Sequence, residues 1–126
     1  MEEMRSEQAR IFRVTHGEAI AITQTPYGSV GQLYRGEGIE AVWVSKQNES
    51  IDPDWFSQSS VDLIIVLQGK LRVEFESDDQ PDVMLEPGDV LILQAQTRCR
   101  AYRWPRDIQT PTIFLAVYPI PEHHAH

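Results

Sequence analysis

The sequence has little cysteine, little basic charge and no long hydrophobic run. Its single cysteine cannot form an internal disulfide, which favours a reducing cytoplasm. The 19 acidic and 11 basic residues give a net charge of −8, which argues against nucleic acid or an anionic membrane as the partner. No apolar run approaches the roughly 20 residues of a membrane span, and the polar, acidic N-terminus is unlike a secretory signal. We therefore expect a cytoplasmic protein that binds neither nucleic acid nor membrane.

Helical periodicity is also scarce, since only residues 2–10 suggest a short helix or a frayed N-terminal arm. Strand-length apolar segments instead alternate with turn sequences such as TPYGSVG and EPGD. The predicted strands are RIFRV, AIAIT, QLYRG, IEAVWVS, DLIIVLQ, LRVEFE, DVML, VLIL, RCRAYRW and TIFLAVY. Many short strands in 126 residues without a linker predict one all-β domain over residues 1–126, with its barrel at about residues 10–120.

The faces of these strands predict how they pack. LRVEFE alternates between apolar and charged residues, so it has one buried face. DLIIVLQ and TIFLAVY are apolar on both faces, and each therefore needs cover on both faces. A second copy of the chain would supply the outer cover, which predicts a homodimer; the alternative is cover by the N-terminal arm.

Two segments, DLIIVLQGKLRVEFE and LEPGDVLILQAQTRC, resemble the two conserved motifs of the cupin family. In cupins the first motif ends with an acidic residue, six further residues and a turn glycine, which correspond here to Asp62 and Gly69. The second motif starts at a glycine, here Gly88, and Cys99 then occupies the place of its final histidine. The resemblance implies the cupin-type double-stranded β-helix, a jelly-roll barrel.

The departures from the cupin pattern concern its metal site. Metal-binding cupins carry two histidines shortly before the acidic residue, whereas DWFSQSSVD (54–62) contains none. Asp62 replaces the usual glutamate, and with Cys99 it supplies only two of the three or four ligands that zinc or iron sites need. We therefore expect neither a bound metal nor another cofactor. The four histidines of the chain lie elsewhere: His16 is in an early turn, and the other three are in the C-terminal stretch 122–126, which we expect to be mobile.

The resemblance implies that Cys99 faces inward, and strand alternation then predicts a pocket. Arg98 and Arg100 take the outer face, where acidic residues of EFESDDQPD are expected to pair with them. The expected lining comprises Trp43, Trp55, Phe56, Gln58, Asp62, Ile64, Cys99, Ala101 and Arg103. The alternative is that the same aromatic residues fill the interior as a packed core.

Three functions agree with this pattern. The first is a metal-free barrel that binds a small organic molecule or only assembles as a dimer. The second is a metal-independent isomerase, epimerase or cyclase, with Asp62 and Cys99 as the candidate catalytic residues. The third is a metal-dependent oxygenase with an atypical site. The sequence leaves open whether the protein is an enzyme.

Overall fold

The structure, a computed structural model, describes residues 8–47, 53–106 and 110–121. A short 3₁₀ helix, Val14–His16, precedes the strands. The described strands are β1 (Ala21–Thr25), β2 (Gly28–Gly36), β3 (Ile39–Lys46), β4 (Asp62–Gln68), β5 (Lys70–Phe75), β6 (Val83–Leu85), β7 (Val90–Leu93), β8 (Cys99–Trp104) and β9 (Thr112–Pro119). They form an antiparallel six-stranded sheet, ordered β1-β2-β3-β9-β4-β7, and an antiparallel three-stranded sheet, ordered β6-β5-β8. The prediction of an all-β jelly-roll barrel is confirmed.

The prediction of a strand at RIFRV (10–14) is wrong. The chain turns there instead, because Val14 begins the 3₁₀ helix and Gly17, at φ 83°, ends it by donating its N–H to the Val14 carbonyl. The Glu18 carboxylate accepts a hydrogen bond from the Arg13 N–H at 2.8 Å and holds the turn closed.

A second difference concerns TPYGSVG, which was predicted as a loop. Its last four residues belong to β2, because the turn occupies only residues 26 and 27. Residues 8–10 form no helix, while the rest of the predicted arm and the histidine-containing stretch 122–126 lie outside the described residues. None of the helices in the described ranges is long and apolar enough to cross a membrane.

The hairpin between β4 and β5 joins the two sheets at Gly69. This residue has φ of 73°, a left-handed conformation that glycine adopts without strain. A Cβ at this position would also lie 2.7 Å from the Thr112 Oγ1 atom, which itself donates a hydrogen bond to the Lys70 carbonyl. The VLQGKL turn thus requires glycine for both conformation and space.

The core lies between the inner faces of the sheets. Leu71 and Val73 on β5 are buried, while Arg72 and Glu74 between them are partly exposed, which confirms the predicted alternation of LRVEFE. On β4, Val66 is fully buried on the inner face of the larger sheet. The same parity directs the first residue of β4, Asp62, into the barrel.

Candidate functional site

The two sheets enclose a cavity of about 450 Å³. Its walls are mainly aliphatic and aromatic side chains from both sheets. The larger sheet contributes Val30, Val42, Val44, Ile64, Leu91, Leu93, Phe114 and Ala116, and the smaller sheet contributes Leu71, Val73, Cys99 and Ala101. An apolar cavity of this size with few polar groups is the usual form of a small-molecule site.

Asp62 is the buried carboxyl group of this cavity. It is the first residue of β4, pairs with Leu93 on β7 and is only 2% exposed. Its Oδ1 atom has no hydrogen-bond partner among the described residues. Burial raises the pKa of the carboxyl from 3.8 to about 6, because the apolar surroundings disfavour the charged form.

Cys99 lies on the opposite sheet at the start of β8. Its backbone exchanges two hydrogen bonds with Phe56, at 2.7 and 2.9 Å, and these hold the segment before β4 against β8. The side chain is 4% exposed. Burial and, secondarily, the charge of Asp62 raise the pKa of the thiol to about 11. The thiol is therefore protonated at neutral pH and is a poor nucleophile.

Tyr118 on β9 completes the polar end of the cavity. Since Leu63 pairs with Val117, the antiparallel register sets Tyr118 opposite Asp62 on the inner face. The phenol donates its proton to Glu40 Oε1 at 3.0 Å, and the Arg35 guanidinium also donates to that oxygen, at 2.9 Å. Burial, followed by the bond to Glu40, raises the pKa of Tyr118 to about 12. The phenol therefore stays neutral.

The segment before β4 forms part of the cavity wall. Its backbone runs beside the start of β8, where the Gln96 N–H donates to the Gln58 carbonyl at 2.7 Å. Asp54, Phe56 and Gln58 line the cavity, and Phe56 is 51% exposed, so its ring lies where the cavity meets solvent. Alternation along this short extended segment turns Trp55 the other way.

Six of the predicted pocket residues lie around this cavity, namely Phe56, Gln58, Asp62, Ile64, Cys99 and Ala101. Trp43, Trp55 and Arg103 were expected there too, but they lie elsewhere.

Trp43 is on the outer face of β3, where a Cβ on Gly31 would come within 2.2 Å of its ring and its Nε1 donates to the Glu18 carbonyl. Trp55 lies under the Arg100 guanidinium, 4.2 Å from the ring centre.

Arg103 faces inward, as alternation predicts, but outside the cavity lining. It is 7% exposed, and its Nη2 donates to the Arg106 carbonyl at 2.9 Å. Its Nε has no hydrogen-bond partner among the described residues. The expected contact between Arg103 and a ligand thus has no support from this geometry.

Sequence reasoning missed the contribution of β9. Phe114, Ala116 and Tyr118 share one parity in TIFLAVY and line the cavity together. Their spacing of two residues was the available signal. It was obscured because the intervening Leu115 and Val117 are also apolar, so the sequence marks neither face as the inner one.

Arg98 and Arg100, on either side of Cys99 at the start of β8, form ion pairs as predicted. On the outer face of the smaller sheet, Arg98 pairs with Glu76 at 2.6 Å and Arg100 pairs with Glu74 at 3.0 Å. Both pairs are partly or largely exposed, so each contributes little to stability. This face is a solvated ion-pair surface, which confirms the prediction for Arg98 and Arg100.

A more open groove of about 620 Å³ lies beside β7 and the end of β5. Much of its lining is exposed polar side chains, including Gln80, Gln94 and Gln96. The cavity between the sheets is the better candidate site, because it combines apolar walls with a buried, unpartnered carboxyl group.

The described side chains do not fit the metal that many cupins hold. Within residues 8–47, 53–106 and 110–121, no three histidine, cysteine, aspartate or glutamate side chains lie close enough together to ligate an ion. Asp62 and Cys99 offer two donors of different softness, and the thiol is protonated at neutral pH. The neighbouring lining residues Phe56 and Gln58 supply a hydrocarbon ring and a neutral amide.

Comparisons with known proteins find the same architecture. An RmlC-like cupin from Methanocaldococcus jannaschii superposes with a TM-score of 0.63 over 93% of both chains, at 14% identity. A cupin-like protein from Thermotoga maritima gives a TM-score of 0.64 at 16% identity, over 81% of this chain and 78% of that one. The chain has the cupin fold.

Cupin folds carry different functions, so the fold alone does not identify the reaction. Hydroxypropylphosphonic acid epoxidase from S. wedmorenis also superposes, with a TM-score of 0.63 at 14% identity, over 77% of this chain and 53% of that one. No family model and no curated protein sequence matches the chain.

Proposed function

We propose that this cupin-fold barrel binds a small organic molecule in the cavity between its sheets. The observation that carries the proposal is Asp62, an unpartnered carboxyl group in a mainly apolar cavity of about 450 Å³. A buried ionisable group without a partner costs stability, whereas a ligand that contacts it removes part of that cost. The volume also lies within the roughly 300–1,000 Å³ of typical ligand sites.

A fluorescent probe tests this function. N-Phenyl-1-naphthylamine is nearly dark in water and emits in apolar surroundings, so its fluorescence should rise when it enters the cavity. Replacing Ala101, which lines the cavity, by phenylalanine should fill the space and abolish the rise. The matched control is Ala21→Phe on exposed strand β1, which should leave probe binding unchanged. Equal fluorescence for both variants would contradict binding between the sheets.

Metal-independent acid–base catalysis is the second candidate, and the raised pKa of Asp62, about 6, favours it. A carboxyl group with a pKa near neutrality can accept and return a proton at neutral pH. In this reading Asp62 alone transfers the proton, because the raised pKa of Cys99 argues against a nucleophilic thiol. Solvent deuterium should then enter an acidic C–H bond of a bound carbonyl compound, and Asp62→Asn should stop this exchange.

The composition of the chain supports a cytoplasmic location. The outer face of the larger sheet supports a homodimer. Leu63 and Ile65 on β4 lie beside Ile92 and Val90 on the edge strand β7. Val90 is 54% exposed and Ile92 is 57% exposed. β9, the other neighbour of β4, continues this apolar band, and a second copy of the chain would cover it.

Light scattering at micromolar concentration tests the dimer. Ile92→Asp should convert a dimer into a monomer, because a charge would be buried at the contact. Ile22→Asp, on the opposite edge strand and 49% exposed, is the matched control and should stay dimeric. A monomeric mass for the unchanged protein would rule the dimer out.

A further inference from the structure

The chemistry of a ligand can be inferred from the polar end of the cavity, if the proposed small-molecule function is correct. Asp62, Tyr118 and Cys99 converge there from β4, β9 and β8. Asp62 and Tyr118 are cross-strand neighbours, whose Cβ atoms in antiparallel sheets are about 4.5–5.5 Å apart. Asp62 also acts electrostatically on both of the other groups, since its charge raises the pKa of the thiol and of the phenol.

Apart from the Gln58 amide, which can both donate and accept, the hydrogen-bonding side chains at this end mainly accept hydrogen bonds. Oδ1 of Asp62 has no partner among the described residues. Tyr118 gives its only proton to Glu40, so its oxygen can only accept from the cavity. The Cys99 thiol is at most a weak donor. A ligand that satisfies these atoms therefore has to bring N–H or O–H groups of its own.

The charge at this end of the cavity is negative, and the nearby cations are paired with other groups or lie far from Asp62. Arg35 is engaged by Glu40 and its side chain is 53% exposed. The lysine of the cavity lining, Lys46, donates to the Tyr27 carbonyl and pairs with Thr112 in the β3–β9 register. Glu40 pairs with Tyr118 in that register, six residues earlier on β3, so Lys46 lies roughly 20 Å along the strand from the Asp62 end.

The other cation of the lining, Arg100, is held on the outer face. Its Nε donates to Glu74 at 3.0 Å, and its guanidinium lies over the Trp55 ring. The Asp62 end of the cavity therefore combines an acceptor-rich wall with an uncompensated carboxylate. A cationic donor satisfies both properties, whereas an anionic group satisfies neither.

The geometry points to an amine ligand: an apolar molecule with a protonated primary or secondary amine, whose N–H groups contact the Asp62 carboxylate and the Tyr118 oxygen. The hydrocarbon body would lie against the aliphatic walls formed by Ile64, Leu93 and Ala116. An ammonium group of ordinary pKa, about 10, is charged at neutral pH and forms the charge-assisted hydrogen bonds that a neutral donor cannot match.

Three probes with the same hydrocarbon body test this inference: 4-phenylbutylamine, 4-phenylbutan-1-ol and 4-phenylbutanoate. Their dissociation constants are measured at pH 7.5 by NMR titration of the full-length protein. Hydrogen bonds to charged groups are worth about 1.5–3 kcal/mol, so the amine should bind at least about tenfold more tightly than the alcohol. The carboxylate should bind more weakly than the alcohol.

Asp62→Asn should remove the preference for the amine while leaving the alcohol within about threefold, since the amide keeps the size but not the charge. Asp78→Asn, on the exposed β5–β6 connection, is the control and should keep the preference. Equal binding of amine and alcohol to the unchanged protein would overturn the amine inference and leave the proposed function intact. Failure of all three probes to bind at millimolar concentration would contradict both.

Discussion

The pH dependence of the free energy of unfolding offers a sharp test of how Asp62 is buried. Its carboxyl has a pKa of about 6 in the folded protein against 3.8 as the ordinary value. The folded state therefore binds more protons than the unfolded state between these pH values, and stability falls as the pH rises through this window. At about 1.4 kcal/mol per pKa unit, the ionised carboxylate costs up to about 3 kcal/mol at pH 7, an upper bound because any solvent that reaches the carboxylate screens its charge.

Replacing Asp62 by asparagine removes the ionisation and keeps a side chain of the same size. We expect the variant to be more stable than the unchanged protein at pH 7, by up to about 3 kcal/mol. The difference should shrink to about 0.5 kcal/mol at pH 4, where the carboxyl is almost fully protonated in the folded state and still partly ionised in the unfolded state. Other titrating groups cancel in this comparison, because the two proteins share them.

Urea denaturation of both proteins between pH 4 and pH 7.5 measures the difference directly. Asp78→Asn, an exposed aspartate changed in the same way, should show no such pH-dependent gap. If the gap between Asp62→Asn and the unchanged protein does not depend on pH, the carboxyl is not desolvated. A less stable Asp62→Asn variant at pH 7 would show that the carboxylate has a stabilising partner.

Three further predictions follow from the same structure. Gly31→Ala should destabilise the protein by about 1–3 kcal/mol in urea denaturation, since the new Cβ would lie 2.2 Å from the Trp43 ring. An unchanged midpoint would contradict that packing. Cys99 should react with a disulfide reagent at pH 7 only as fast as the protein opens, because its thiol is buried and its pKa is about 11; rapid reaction in the absence of denaturant would refute this. Elemental analysis after removal of residues 122–126 and dialysis without chelator should find no stoichiometric transition metal. One equivalent that disappears in Cys99→Ser would instead establish a metal site in the barrel.

The part of the site that sequence could predict is the part where alternation is unambiguous. Leu71 and Val73 alternate with charged residues, so the sequence marks the inner face of β5. On β4 the single acidic residue marked by the motif, Asp62, set the parity, and Ile64 follows two residues later. These positions are correct because a strand has a period of two and a buried face admits no slip in register.

Alternation fixes the face of a side chain but not its depth along the barrel. Arg103 is on the inner face as predicted, yet it lies outside the cavity lining, two residues beyond Ala101. The prediction for Trp43 was wrong for another reason. IEAVWVS is apolar on both faces, so pairing with β2 and β9 decides which of its residues face inward. The direction of the Trp55 side chain depends on how residues 53–58 pair with the start of β8, and no local sequence pattern encodes that pairing.

The most direct test of ligand binding between the sheets is a map of backbone amide shifts in the full-length protein titrated with 4-phenylbutylamine. We predict that the largest shifts come from residues that line the cavity, such as Asp62, Ile64, Cys99, Ala101 and Ala116. The exposed positions Ile22 and Asp78 should not respond. Shifts restricted to the outer apolar band, or no saturable shifts at millimolar probe, would contradict a ligand site inside this cupin-fold barrel.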